Sequence, residues 1–153
     1  MQAILAISNN NVIGIGNKLP WFNKEDLEHF KQYTSGKTIV GGTNTIASLP
    51  FKLPNRKIVQ FGTSNKHRYA DDIVASKEAL FIKYPSAIII GGAKTIENML
   101  DAINHFIITF IDVDIQNKDS IYFDTSFLNI GWVLYKEYRI SDNAVVKEYK
   151  RGK

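Results

Sequence analysis

Asp26 is an acid where the periodicity of its segment calls for an apolar residue, and it is the natural place to look for chemistry. It lies in the stretch NKLPWFNKEDLEHFKQYT, from Asn17 to Thr34. Asn23 is a good N-cap and Glu25 and Asp26 fall in an acid-favouring first turn, so a helix is predicted from about Lys24 to Tyr33. At about 100° per residue, Glu25, Glu28, His29 and Gln32 share one polar side, while Leu27, Phe30, Tyr33 and Thr34 share the other. Asp26 belongs with the second group. An unpartnered carboxylate carried inward costs several kcal/mol or takes up a proton, so such a group needs a partner. A second reading stands beside this one. Asn23 and Asp26 have the spacing of a capping box, in which the acid reaches back to the N-cap amide and has no other task.

The elements around Asp26 follow in order. Ile4 to Ile7 reads as a buried strand, and Asn9 opens a long polar loop. Its Val12-Ile13-Gly14-Ile15-Gly16-Asn17 portion is too apolar for free coil and too glycine-rich for a helix, as suits a loop that covers something. No third glycine completes a dinucleotide fingerprint, and Ser35-Gly36-Lys37-Thr38 is no P-loop, because position 31 is Lys31 and the segment runs from helix into strand. Thr38 to Val40 is a strand ending in Gly41-Gly42, followed by a helix from Thr43 to Leu49. Lys57 to Phe61 and Asp72 to Ala75 are strands, with a Ser76-capped helix to Lys83. Ala87 to Ile90 runs into Gly91-Gly92 and a helix from Ala93 to Leu100. Two strands thus end in Gly-Gly before a helix. That arrangement either brings backbone amides close to a phosphate or simply makes a tight turn. His105 to Ile111 is a further strand, with Thr109 as its one hydroxyl, a residue type that often only fills a strand. A polar loop runs to Asp124, and Trp132 to Ile140 with Ala144 to Tyr149 form a closing hairpin. The order predicts an α/β fold: a mostly parallel central sheet, helices on both faces, and a C-terminal antiparallel hairpin.

Taken together, these motifs resemble the dihydrofolate reductase family over essentially the whole chain. The resemblance rests on Ala6, Val12-Ile13-Gly14, Leu19-Pro20-Trp21, Asp26-Leu27 with Phe30-Lys31, Thr34, Gly42 with Thr45, Leu53-Pro54 with Arg56, Ile90-Gly91-Gly92, and Thr109 with Ile111-Asp112. It implies reduction of dihydrofolate by NADPH, with hydride delivered to C6 and a proton to N5. It implies that Asp26 holds the 2-amino and N3 positions of the pterin, that Thr109 bonds both Asp26 and the pterin, and that Trp21 helps hold an ordered water. Leu5, Ala6, Leu27, Phe30, Leu49 and Ile90 would line the pterin pocket, and Arg56 would clamp the glutamate α-carboxylate, where a planar fork outperforms lysine. For the cofactor the resemblance implies Ala6, Ile13, Gly14, Asn17 and Leu19 from the first strand and lid, and Gly42, Thr43, Asn44 and Thr45 after the second. Thr63, Ser64 and Lys66 would follow from the next loop, and Gly91, Gly92, Ala93, Lys94 and Thr95 from the last Gly-Gly turn. The Val12 to Phe22 loop would be the lid.

The departures fall on the cofactor side. Thr43-Asn44 stands where the family usually has a basic residue, Ile96 where it has an aromatic, and Asp119 to Asp124 lacks the family's proline. Two other readings remain: a reductase of the related pyrimidine or riboflavin-pathway type, against which Asp26 and Arg56 argue, and a basic nucleotide-binding module without catalysis, against which Trp21, Asp26 and Thr109 argue.

Composition narrows the class. At 153 residues one domain is expected, large enough to bury a core unaided. With no cysteine and with His29, His67 and His105 scattered, neither a disulfide framework nor a metal site is expected. The start lacks a basic leader, and no run reaches membrane-spanning length, so a cytoplasmic monomer is expected. A net charge of +4 suits anionic small molecules. Its basic residues are too dispersed to call for nucleic acid.

Overall fold

The computed structural model describes every residue except Asn17, Lys18 and Lys153, so the cofactor role expected of Asn17 lies outside the described residues. Among the described residues ten strands and four α-helices follow in order: β1 (Gln2–Ser8), β2 (Val12–Ile15), α1 (Lys24–Thr34), β3 (Thr38–Gly42), α2 (Thr43–Ala47), β4 (Lys57–Phe61), β5 (Asp72–Val74), α3 (Lys77–Lys83), β6 (Ile88–Gly91), α4 (Ala93–Met99), β7 (His105–Ile111), β8 (Ser120–Tyr122), β9 (Trp132–Ser141) and β10 (Ala144–Arg151). Eight strands form one sheet in the order β5-β4-β3-β6-β1-β7-β10-β9, parallel through β7 and antiparallel at β10 and β9.

The alternation of each strand divides the core in two. Ala3, Val40, Val59, Ile89 and Ile108 point to the face covered by Leu80 of α3 and by Ile96 and Met99 of α4. Their neighbours Ile4, Ile39, Ile58, Ile88 and Ile107 point to the other face, under Phe30 and Tyr33 of α1 and Ile46 of α2. Residues buried on both sides in this way are mostly apolar, which is why β3, β4, β6 and β7 read as largely apolar runs, interrupted by Gln60 in β4 and Thr109 in β7.

Most expected elements form, with ends moved by pairing rather than hydropathy. The first strand spans Gln2 to Ser8 rather than Ile4 to Ile7, because its polar ends pair with His105 and Ile111 of β7. The helix expected from Thr43 to Leu49 stops at Ala47, and the one after Gly92 gives way at Leu100 to a 3-10 turn. The larger correction concerns the two polar loops. Val12–Ile15 and Ser120–Tyr122 are antiparallel partners in a separate two-stranded sheet. Neither segment is long enough to show a period by itself, and each becomes a strand only by meeting the other.

The fold's consequence for function is positional. β1, β3, β4, β6 and β7 all run the same way, so Ser8, Gly42, Phe61, Gly91 and Ile111 end at one rim, where open parallel sheets take their ligands. No helix among the described residues is long and apolar enough to cross a membrane.

Candidate active site

Asp26 is buried, at 9 % exposure, in the first turn of α1. Half of a capping box forms: the Asn23 side chain accepts from the Asp26 amide at 2.8 Å. The carboxylate itself faces Thr109. Burial pushes its pKa up, and the Thr109 hydroxyl, as a hydrogen-bond donor, pulls part of the way back. Thr109 is 1 % exposed in the middle of β7, flanked by Ala6 of β1 and Val146 of β10. The parity that puts Ile107 under α1 puts Thr109 there too. The acid thus looks onto the rim of the sheet through a hydroxyl and the small side of Ala6.

Two assignments from helical periodicity change. Leu27, expected to face inward with Phe30, is 43 % exposed and points away from the core. His29, expected on the solvent side, is half-buried, and its Nε2 lies 2.8 Å from the Tyr138 hydroxyl of β9. The helix is gripped on more than one side, so a single apolar stripe is too simple a description of it.

Trp21 has its indole Nε1–H buried with no hydrogen-bond partner among the described residues. A buried donor of this kind ordinarily has a water. Arg56 follows the turn that leads into β4. Its Nε donates to Pro54 O at 2.9 Å and one Nη to Thr34 Oγ1 at 3.1 Å, while Thr34 itself donates to Phe30 O. This leaves three Nη hydrogens for a carboxylate. Thr34 thereby earns a positioning role that only its place in the resemblance hinted at.

On the other side of the rim, Gly41-Gly42 and Gly91-Gly92 lie on neighbouring strands, with Gly41 opposite Gly91. A Cβ on Gly42 would sit 2.7 Å from Thr95 Oγ1, and one on Gly92 3.2 Å from Thr45 Oγ1. Backbone and hydroxyls therefore crowd into one cradle that larger residues would fill, as a bound pyrophosphate requires. The helices behind it are short, α2 with five residues and α4 with seven, so amide contact counts for more here than any macrodipole. Thr63, Ser64, Asn44 and Lys94 are exposed around it, and Ala93 is half-buried. Lys66 differs from expectation. Its ammonium is turned back onto its own loop, donating to Ala70 O at 2.6 Å. Of the lid residues, Gly14 is buried, Ile13 half-buried and Leu19 exposed. Leu49 and Ile90 are half-buried on the α1 and α2 side of the sheet with Phe30, whereas Leu5, expected to line the same pocket, packs on the opposite face because strand alternation turns it away from its neighbour Ile4.

A family profile described as Dihydrofolate reductase matches residues 1–149. The chain belongs to the dihydrofolate reductase family. It is 42 % identical over 121 residues to the dihydrofolate reductase of Buchnera aphidicola, a match covering 75 % of this chain and 74 % of that one. It is 33 % identical over 137 residues to dihydrofolate reductase type 3 of Salmonella typhimurium, covering 86 % and 82 %. In fold it is similar to a solved structure described as dihydrofolate reductase from Enterococcus faecalis complexed with NADP(H) and RAB-propyl, with a TM-score of 0.82 at 23 % identity over 99 % and 96 % of the two chains. Membership in this family accounts for the acid and the two Gly-Gly turns at the C-terminal rim and for the arginine beside the far end of α1.

Proposed function

We propose that this protein reduces 7,8-dihydrofolate to 5,6,7,8-tetrahydrofolate with NADPH, as a single-domain cytoplasmic monomer that needs neither nucleic acid nor a membrane. The observation that carries the reading is the Asp26 carboxylate, buried with a raised pKa and backed by Thr109 at the rim of the sheet. A pterin offers a 2-amino group and an adjacent ring N–H, and a lone carboxylate accepts both at once. Low dielectric strengthens that pairing and makes Asp26 favour the protonated pterin over the neutral one. NADPH supplies the hydride that goes to C6.

The chain's residues do the rest. Asp26 orients the pterin and stabilises positive charge as N5 is protonated. Trp21 directs its free indole N–H at a water on that path, and Arg56 fixes the far end of the substrate through its glutamate. The Gly-Gly cradle holds the cofactor by its phosphates so that the two rings stack in reacting geometry. Loss of NADPH absorbance on adding dihydrofolate tests the reading. No turnover, or turnover only with a ribosylated pyrimidine, would replace it with the related pyrimidine-reductase reading.

A further inference from the structure

Gln60 is an amide in an aliphatic place. It lies in the interior of β4, opposite Gly41 of β3 and Ile73 of β5, and is 0 % exposed. Leucine or methionine would fill the same space without the cost of burying an amide, about 1–3 kcal/mol if it went unsatisfied. Every polar atom of the side chain is engaged. Nε2 donates to Thr43 Oγ1 at 3.3 Å and to Asn65 O at 3.1 Å, and Oε1 accepts from the His67 amide at 2.8 Å. One buried group therefore ties the first residue of α2 to both arms of the loop that leaves β4.

The bond to Thr43 sets a direction. Its hydroxyl accepts from Gln60, so its own hydrogen is free to be given away, and no acceptor among the described residues takes it. Gly62 closes the loop against the same oxygen: a Cβ there would stand 3.0 Å from Thr43 Oγ1. Thr63 and Ser64 add exposed hydroxyls beside it. Neither 41–45 nor 60–67 contains an Asp or Glu. An acid at such a site would accept from a ribose 2′-hydroxyl, whereas donors without an acid suit a phosphate on that oxygen.

We propose that Gln60 is the positioning residue for the 2′-phosphate of the cofactor: it holds Thr43 as a donor and the 62–67 loop against it, and so sets the preference for NADPH over NADH without touching either. The inference rests on the reductase reading above. It is tested by calorimetric titration of wild type, Gln60→Leu and Gln60→Glu with NADP⁺, NAD⁺ and adenosine 2′,5′-bisphosphate, alongside the Tm of each variant. Gln60→Leu should bind NADP⁺ and the bisphosphate roughly tenfold more weakly, the loss typical of one hydrogen bond to a charged group, and NAD⁺ within about twofold. Gln60→Glu keeps the acceptor for His67 but loses the donor to Thr43, and it should show the same selective loss. Thr43→Val should weaken the same ligands, and the double variant Gln60→Leu with Thr43→Val should fall well short of the two losses added, because one acts through the other. Equal weakening of NADP⁺ and NAD⁺, strict additivity, or unchanged binding in folded variants overturns the proposal alone. A wild type with no affinity for NADP⁺ overturns the reductase reading and this inference with it.

Discussion

Asp26 sets the requirements of binding against those of folding. Its raised pKa means that, above the ordinary value of 3.8, the native state keeps a proton that the unfolded chain has released. Stability therefore falls as pH rises from about 3.8 through the raised value, and the cost is complete above it. Asp26→Asn should raise the Tm of the ligand-free protein at pH 7 and flatten its dependence on pH in the acid range. In the same variant kcat should fall by roughly 10²-fold or more near neutrality, and less at low pH, where the pterin arrives protonated. Lower stability with unchanged turnover would return Asp26 to the role of a helix cap. Arg56 makes a complementary case. With Nε and one Nη hydrogen spent on Pro54 and Thr34, its remaining Nη hydrogens are the ones the proposed carboxylate clamp would use. Arg56→Leu should raise the KM for dihydrofolate roughly thirtyfold, equivalent to about 2 kcal/mol, while a pterin without the glutamate tail is unaffected. Steady-state kinetics with both ligands decides it. Equal effects would mean that Arg56 works through the fold. Thr43→Arg, which adds the charge this chain lacks, should widen the preference for NADPH in kcat/KM, and the gain should shrink as salt is raised. An unchanged ratio would put the 2′-phosphate elsewhere.

Helix α1 is held at its start by the far end of the chain. Asn23 accepts from the Asp26 amide, and its Nδ2 donates to Asn143 Oδ1 at 2.9 Å and Ser141 Oγ at 3.2 Å, both at the β9–β10 turn. The cap is thus also a peg. Asn23→Ala should cost about 1–2 kcal/mol in urea denaturation, the usual range for a lost N-cap. Asn23→Asp is the informative variant, because a carboxylate caps as well as an amide but cannot donate to Asn143. It should keep most of the helix stability and still lose kcat/KM for dihydrofolate, as Asp26 drifts by the slack the peg removed. Wild-type kinetics in Asn23→Asp would show that the peg carries no weight. How far periodicity serves as a guide is visible in the same helix. It placed Asp26, Phe30 and Tyr33 correctly on the inner side but misjudged His29 and Leu27. A 100° rule assumes one partner, and α1 has a sheet below, a hairpin beside it and an open cleft above.

Across the whole molecule, a buried polar chain joins five elements on the α1 face. Tyr33 donates to Gln2 Oε1, Gln2 Nε2 meets His105 Nδ1, and His105 Nε2 and the Tyr138 hydroxyl converge on the Glu148 carboxylate, with His29 Nε2 behind Tyr138. Donation runs in one direction from Tyr33 through Gln2 and His105 to Glu148, while His29 Nδ1 is buried with no hydrogen-bond partner among the described residues. Desolvation holds the His29 pKa down despite the nearby Glu148. The Tyr138 phenol is pushed up to about 12 by burial and by Glu148. Between the ordinary value of 10 and about 12 the native state keeps a proton that the unfolded chain loses, so stability drops across that alkaline window. Tyr138→Phe strands Glu148 and His29 and should cost about 1–3 kcal/mol at neutral pH. Its melting temperature should nonetheless fall less steeply than wild type from pH 10 to 12. Parallel slopes would show that another group sets the alkaline limit.

The fold class was legible in the sequence because parallel strands buried on both faces must be continuously aliphatic, and Val40, Ile58 to Val59, Ile88 to Ile90 and Phe106 to Ile108 are. The hairpin was legible from Asp142-Asn143 and the out-of-place acid from its face of the helix, whereas the arginine stood out only through the family resemblance and each Gly-Gly read equally well as a tight turn. Tertiary structure decided whatever depended on a distant partner. Val12–Ile15 is a strand only because Ser120–Tyr122 lies beside it. Glu148, seen in sequence as one charge in a basic tail, is a buried hydrogen-bond terminus 43 residues from His105. Gln60, one polar letter within an apolar strand, has a purpose only once Thr43, Asn65 and His67 surround it. Periodicity reports the face a residue turns toward a sheet, whereas hydrogen bonds between remote segments leave no period, and only the folded chain brings their donors and acceptors within reach.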